Sequence, residues 1–263
     1  MIKVTAENFP GIKETIKSAP TFVYSILDQV IEGTVYADDA SFRSLLFQTK
    51  AGIYFVHGDS SSEKVISKLA ALLKESIVES KRFTLFSYSD EWSAKIEQRL
   101  NNYVNKLERY NFSFDINAYN NREKRDSLDY ECIKIKQHQI DHSLEFDNQY
   151  YEEYWGSTDD FLEKGFGFCL QHENKIISEA VSIFKSHQFA EIDIITDSNY
   201  RGKGLAGFIV EKFIDDCLLN DLQPCWDCDI DNHGSYHLGA KLGFTNPVKY
   251  TVFYKSTKVK LTV

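Results

Sequence analysis

The sequence lacks a basic excess. Its 30 lysines and arginines face 39 aspartates and glutamates, a formal charge of −9, and no long basic run offsets that balance. A nucleic-acid partner is therefore not expected. Cysteine is scarce as well. Cys132, Cys169, Cys217, Cys225 and Cys228 are irregularly spaced and odd in number, which excludes a disulfide framework. No stretch approaches the roughly 18 uninterrupted apolar residues of a membrane span, and the opening residues lack the apolar core of a signal peptide. These absences lead us to expect a cytoplasmic protein with no membrane partner. What is present is 43% hydrophobic, 14% aromatic and 26% charged residues over 263 positions. That is enough for a sizeable core in one large domain or two small ones.

Periodicity predicts an α/β protein with a mixed sheet. Short helices interrupted by Pro10 and Pro20 precede strands at Gly33–Ala37, Phe42–Gln48 and Gly52–His57. A helix follows over Ser62–Ser80, with Val65, Ile66, Leu69, Leu72, Leu73 and Ile77 at helical spacing. Then come a strand (Arg82–Tyr88), a helix (Asp90–Val104) and a strand (Leu107–Phe114). The polar run Asn120–Asp129 reads as a linker, dividing the chain into residues 1–126 and 127–263. Beyond it we expect a strand at Tyr130–Lys136, helices at Ile140–Phe146 and Tyr150–Lys164, and strands at Gly167–His172, Lys175–Phe184 and Phe189–Ile195. A glycine turn, a helix to Leu219, a strand at Cys225–Ile230, a helix at Gly234–Leu242 and a strand at Tyr250–Lys255 complete the order. The first half, β-β-β-α-β-α-β, repeats the later order of the second but lacks the glycine turn.

Glu191–Gly207 is the most informative stretch. Glu191, Asp193 and Ile195 alternate with Ile192 and Ile194, a strand with one acidic side. After a polar turn, Arg201-Gly202-Lys203-Gly204 opens a helix at about Lys203. Glycines at a helix mouth permit close backbone approach, the first amides point outward, and the two cations add charge, so the segment suits phosphates. A Walker A loop is excluded because Leu205 follows Gly204 where lysine is required. Gly202, Gly204, Gly207 and Asp227 have the spacing of a dinucleotide fingerprint. However, Thr196 to Arg201 intervene between strand and glycines, and too little chain follows for a doubly wound sheet. Cys225 and Cys228, with His233 and His237, have the wrong spacing for zinc, and no metal is expected.

In its context, Arg201-x-x-Gly204-x-Ala206 resembles the coenzyme A pyrophosphate motif of the GNAT superfamily of N-acetyltransferases. The succeeding strand, Asn232, helix and Leu242-Gly243-Phe244 resemble its second motif. The wording of Glu191–Thr196, Tyr200–Ala206 and Pro224–Asp227 is similar to the zwittermicin-resistance type, which has an additional N-terminal region. The resemblance is carried by Glu191–Tyr254, while residues 1–125 add only length and element order. It implies a GNAT-like fold in the second half, a degenerate one in the first, and acetyl-CoA as co-substrate.

The resemblance also implies roles for particular residues. Arg201, Gly202, Lys203, Gly204, Leu205 and Ala206 would meet the pyrophosphate. The backbone of Ile194, Ile195 and Thr196 would hold the pantetheine and acetyl group. Asn232 would contact the pantetheine arm, cap the next helix, or do both. Glu191 matches a strand glutamate that serves as base, with Asp193 binding the cationic acceptor; alternatively both are only electrostatic or face solvent. Asp227 and Asp229 either line the acceptor cleft or meet solvent. Many members carry a tyrosine acid where this chain has Gly239, and Tyr236, one turn earlier, is either its substitute or a plain aromatic. The segment Tyr150 to Trp155 either borders the acceptor cleft, making Trp155 a substrate contact, or packs on the N-terminal half. The expected activity is direct acetyl transfer to a primary amine of a small molecule in a ternary complex. A non-catalytic coenzyme A sensor or scaffold is the alternative, motivated by Gly239.

Overall fold

A computed structural model describes residues 1–123 and 130–256, so residues 124–129 of the expected linker lie outside the described residues. The chain divides into two units, Met1–Tyr110 with the chain from Lys249 onward, and Asn111–Val248. This division departs from the expected cut after residue 126. The last strand returns to the first unit, where Thr251–Tyr254 pair with Ser87–Thr84.

The first unit runs β1 (Ile2–Lys3), α1 (Phe9–Thr15), α2 (Thr21–Leu27), β2 (Gly33–Ala37), β3 (Ser44–Thr49), β4 (Ile53–Gly58), α3 (Glu63–Val78), β5 (Thr84–Ser87), α4 (Asp90–Leu100) and into β6 (Val104–Phe114). Neighbouring strands from β1 to β4 are antiparallel, and β4 and β5 are parallel because α3 crosses between them. The apolar stripe of α3, Val65, Ile66, Leu69, Leu72 and Leu73, is buried with Leu46, Tyr54, Val56, Phe83 and Leu85 of the sheet side and Trp92, Ile96 and Leu100 of α4. Pro10 does not interrupt a helix. It lies in the first turn of α1, where its missing N–H costs nothing. Val104 opens β6 rather than closing α4.

The second unit takes up the chain at Asn111. It runs α5 (Ile116–Asn120), β7 (Glu131–Lys134), α6 (Gln137–Ile140), α7 (Asn148–Trp155), α8 (Thr158–Lys164), β8 (Gly167–His172), β9 (Lys175–Lys185), β10 (Phe189–Thr196), α9 (Leu205–Leu219), β11 (Gln223–Asp229), α10 (His233–Lys241) and into β12 (Phe244–Lys255). Strands β7 to β10 are antiparallel neighbours, and β11 joins β10 in parallel after the α9 crossover. This is a mixed α/β arrangement, and its strand directions repeat those of β2 to β5. The helix expected over Ile140–Phe146 is instead α6, three residues earlier in its start and followed by turns. The helix expected over Tyr150–Lys164 is two. Gly156 takes a left-handed φ of +90° that ends α7, and the Ser157 hydroxyl accepts the Asp160 amide to start α8. Helix α9 is tied to α5, since Tyr119 donates to Asp215 at 2.8 Å and Arg122, stacked on the Tyr119 ring, reaches Glu211.

Candidate active site

The site is built where β10 and β11 stop pairing. Their parallel ladder runs from Phe189↔Gln223 to Glu191↔Cys225, yet β10 continues to Thr196 and β11 to Asp229. On its other edge β10 stays paired to β9 through Thr196↔Ser178. The far half of β10 therefore has one edge outside the β11 ladder.

At that end the chain is tightly organised. Ser178 Oγ meets Ile195 O and Thr196 Oγ1, and the Asp197 amide donates to Ile177 O. Asp197 then caps the short 3-10 turn Ser198–Tyr200. Arg201 Nε donates to Thr196 O at 3.1 Å, which folds the loop back onto the strand end. Gly202 and Gly204 have φ of +78° and +80°, a region that costs other residues about 1–2 kcal/mol. Helix α9 starts at Leu205, two residues later than expected, with Gly204 as N-cap. Its N-cap residue makes no side-chain hydrogen bond to the first amides, an arrangement that suits an anion. Arg201 to Gly204 are all exposed, and the Lys203 ammonium lies 4.5 Å from the Tyr200 ring centroid. A Cβ built on Gly202 would meet nothing within 4 Å. An open Gly202, a helix start without a side-chain cap and two exposed cations fit a pyrophosphate. Leu205 itself is in the core, so only its backbone amide is placed for such a contact.

The acidic face of β10 is covered by α7. Tyr150 donates to Asp193 Oδ2 at 2.9 Å, and burial together with that carboxylate raises the Tyr150 pKa. Asp193 Oδ1 accepts the Ile194 amide at 2.9 Å, so a ligand carbonyl at that amide would share it with this carboxylate or displace it. Glu191 is half-buried and lies at the last rung of the β11 ladder. Trp155 is a correction to the expected substrate contact. It is 3% exposed, its indole N–H donates to Ser182 O at 3.1 Å, and it packs edge-on against Phe161. It is a core residue.

Asn232 is the N-cap of α10, its Oδ1 accepting the Ser235 amide at 3.0 Å. Tyr236 is half-buried, its ring edge-on to Phe112 at 5.4 Å. The structure gives the reason for glycine at 239. A Cβ there would lie 2.8 Å from Trp226 Nε1, so the Trp226 indole of β11 occupies the space that a side chain would enter. That indole N–H is buried and has no hydrogen-bond partner among the described residues. Among the described residues, no group of three or more His, Cys, Asp or Glu side chains is gathered as a metal site would need.

One residue on this face escaped sequence reasoning. Glu179 of β9 is 1% exposed and pairs across the ladder with Ile195. Its Oε2 accepts Ser143 Oγ at 2.9 Å and the Leu144 amide at 2.8 Å. Burial pushes it up to about 7, against these hydrogen bonds, which hold it down. The signal was available, since Glu179 is the single charge between Lys175 and Lys185.

Comparisons with known proteins bear on the family and the fold. The model of the GNAT acetyltransferase family matches residues 12–253. The chain is 42% identical over 257 residues to the "uncharacterized N-acetyltransferase YdfB" of Bacillus subtilis, covering 96% of this chain and 97% of that protein. A GCN5-related N-acetyltransferase-like protein from Streptococcus suis has the same fold, with a TM-score of 0.72 at 24% identity over 96% of this chain and all of that one. A tandem GNAT protein from the clavulanic acid biosynthesis pathway aligns over 97% of both chains with a TM-score of 0.61 at 11% identity. With its glycine loop at the open end of β10 and the family match running through both units, this chain is a member of the GNAT acetyltransferase family.

Proposed function

We propose that the protein is an acetyl-CoA-dependent N-acetyltransferase that acts on the primary amine of a small molecule within a ternary complex. The observation that carries this reading is the coincidence of two features: β10 leaves the β11 ladder after Glu191, and the open glycine loop with uncapped α9 amides lies at the far end of that strand. Bound there, acetyl-CoA supplies an activated acyl carbon. The loop from Arg201 to Gly204 and the first α9 amides would hold its phosphates, and the backbone of Ile194 to Thr196 the acyl arm. Glu191 and Asp193 would draw a cationic amine to the same strand face. A primary amine with a pKa near ~10 is mostly charged at neutral pH, so the chain must also take up a proton.

The likeness to the zwittermicin-resistance type, the degenerate GNAT-like role of the first unit, and a cytoplasmic setting belong to this proposal. No described helix is long and apolar enough to cross a membrane. A coenzyme A sensor without transfer is the competing reading, motivated by Gly239. Free-thiol release from acetyl-CoA across an amine panel separates the two. Amine-dependent release supports the transferase. Binding of coenzyme A without release for any amine supports the sensor, and no binding at all sinks both.

A further inference from the structure

Glu191 is the acidic residue that the strand pattern first offers as base, but its position is poor. It lies four residues before Ile195, about 13 Å back along β10 at ~3.3 Å per residue. Glu179 is directly across the ladder from Ile195, on the strand face that α7 covers. It is linked to the half-exposed Ser143 on the turn between α6 and α7. Ser143 Oγ accepts the Phe146 amide at 2.6 Å and so is oriented with its own proton toward Glu179. A second, independent feature marks this pocket as built for polar chemistry. The Tyr151 hydroxyl, on a residue 0% exposed, has no hydrogen-bond partner among the described residues, although its ring is stacked on Phe161 at 3.9 Å. An orphaned buried hydroxyl is costly, and such exceptions concentrate where a site has a task beyond packing.

Resting on the transferase reading above, we infer that Glu179, acting through Ser143, takes the proton that the acceptor amine loses. In the step, the ammonium N–H proton passes to Ser143 Oγ while the Ser143 proton passes to the Glu179 carboxylate. The amine loses one proton, the carboxylate gains one, and the hydroxyl is unchanged. The proton is returned to solvent when product leaves. The groups facing Glu179 are Ser143, Leu144 and Glu145 of the turn, Tyr151 of α7, Cys169 of β8 and, further along the face, Asp193 of β10. Burial, opposed by the hydrogen bonds from Leu144, Ser143 and Glu145, places Glu179 in the range where an acceptor of protons works at neutral pH.

The test compares Glu179→Gln, Ser143→Ala and Glu191→Gln by pH–rate profiles of amine-dependent thiol release. Wild type should show an acid limb near pH 7. Glu179→Gln should lose that limb and fall by roughly 10²–10⁴-fold in kcat, the usual range for a lost acid–base group. Ser143→Ala should fall in kcat and move the limb upward, because the carboxylate loses a donor. Glu191→Gln should keep the limb. As a readout without substrate, wild-type melting temperature should decline between pH 5 and 8, and the decline should shrink in Glu179→Gln. A folded Glu179→Gln with wild-type kcat and limb, or a limb that vanishes in Glu191→Gln instead, overturns the inference. If Glu179→Gln does not fold, an unmoved limb and kcat in Ser143→Ala overturn it. Absence of release by wild type for every amine overturns the transferase reading and this inference with it.

Discussion

The β4–α3 crossover of the first unit and the β10–α9 crossover of the second solve the same topological problem to opposite ends. In both, three antiparallel strands lead to a helix and then to a parallel strand, and in both the parallel ladder stops early, at Phe55↔Phe86 and at Glu191↔Cys225. In the first unit the mouth is closed. Trp92, at the third position of α4 and 1% exposed, donates its indole N–H to Gly58 O at 2.9 Å, and a Cβ on Gly58 would lie 1.9 Å from Arg43 O. Acidic Asp59 and Glu63 surround the start of α3, with Glu63 held by Lys95 and Arg99. In the second unit, the same helical position after β11 is Ser235, the loop glycine Gly202 is open, and the charges at the helix start are Arg201 and Lys203. An indole plug and carboxylates make one junction structural. Free space and cations leave the other suited to the anionic ligand we propose for it.

The largest expected effects come from breaking the plug. Trp92→Ala should cost about 3–5 kcal/mol of stability, from the cavity and the orphaned Gly58 carbonyl, in chemical denaturation. Gly58→Ala belongs with it, because backbone atoms must move at Arg43 in addition to the left-handed penalty at φ +89°. Neither should change coenzyme A affinity of the folded protein, measured by calorimetry. A loss of affinity would show that the first unit is not merely closed.

The two units should also respond to pH in opposite directions. Glu179 has a folded pKa of about 7, above its ordinary value of 4.5. Its stabilising protonated form is complete below pH ~4.5 and is lost as pH rises toward 7, worth at most about 3 kcal/mol. His57 of β4 is shifted the other way, since burial disfavours its charged form, so the first unit loses stability as pH falls below the ordinary histidine range. Melting curves from pH 5 to 8 should flatten on the alkaline side in Glu179→Gln and on the acid side in His57→Gln. Flattening of both sides by one substitution would contradict the separation.

Much of this was legible in sequence, for identifiable reasons. Strong periodicity placed α3, β8, β9, β10 and α9, and the glycine loop marked the end of β10 where we propose that the ligand binds. Tertiary effects were not legible. Trp155 belongs to an aromatic-acidic segment that reads as a cleft wall, but its N–H is spent on Ser182. Gly239 reads as a missing acid, and only the structure shows that Trp226 fills the space a side chain there would enter. Glu179 reads in sequence as one charge in an apolar strand, because only the register shows that it faces Ile195. The break at Gly156 was missed because a glycine after Trp155 only ends a helix when its φ is positive, which a pattern does not reveal.

The smallest stability effect should be the most informative about function. Gly202→Ala introduces a Cβ that touches no protein atom within 4 Å, so its cost should be only the left-handed strain at φ +78°, about 1–2 kcal/mol. If the loop holds a pyrophosphate by close backbone approach, the same methyl would intrude on the ligand. Coenzyme A affinity should then fall by at least tenfold, more than the strain would suggest for a loop that stays folded. Gly58→Ala is the mirror case, with a larger stability loss and no affinity loss. Equal affinities for wild type and Gly202→Ala would mean that openness of the glycine turn is incidental, and the contrast between the two crossovers would reduce to the plug by Trp92 alone.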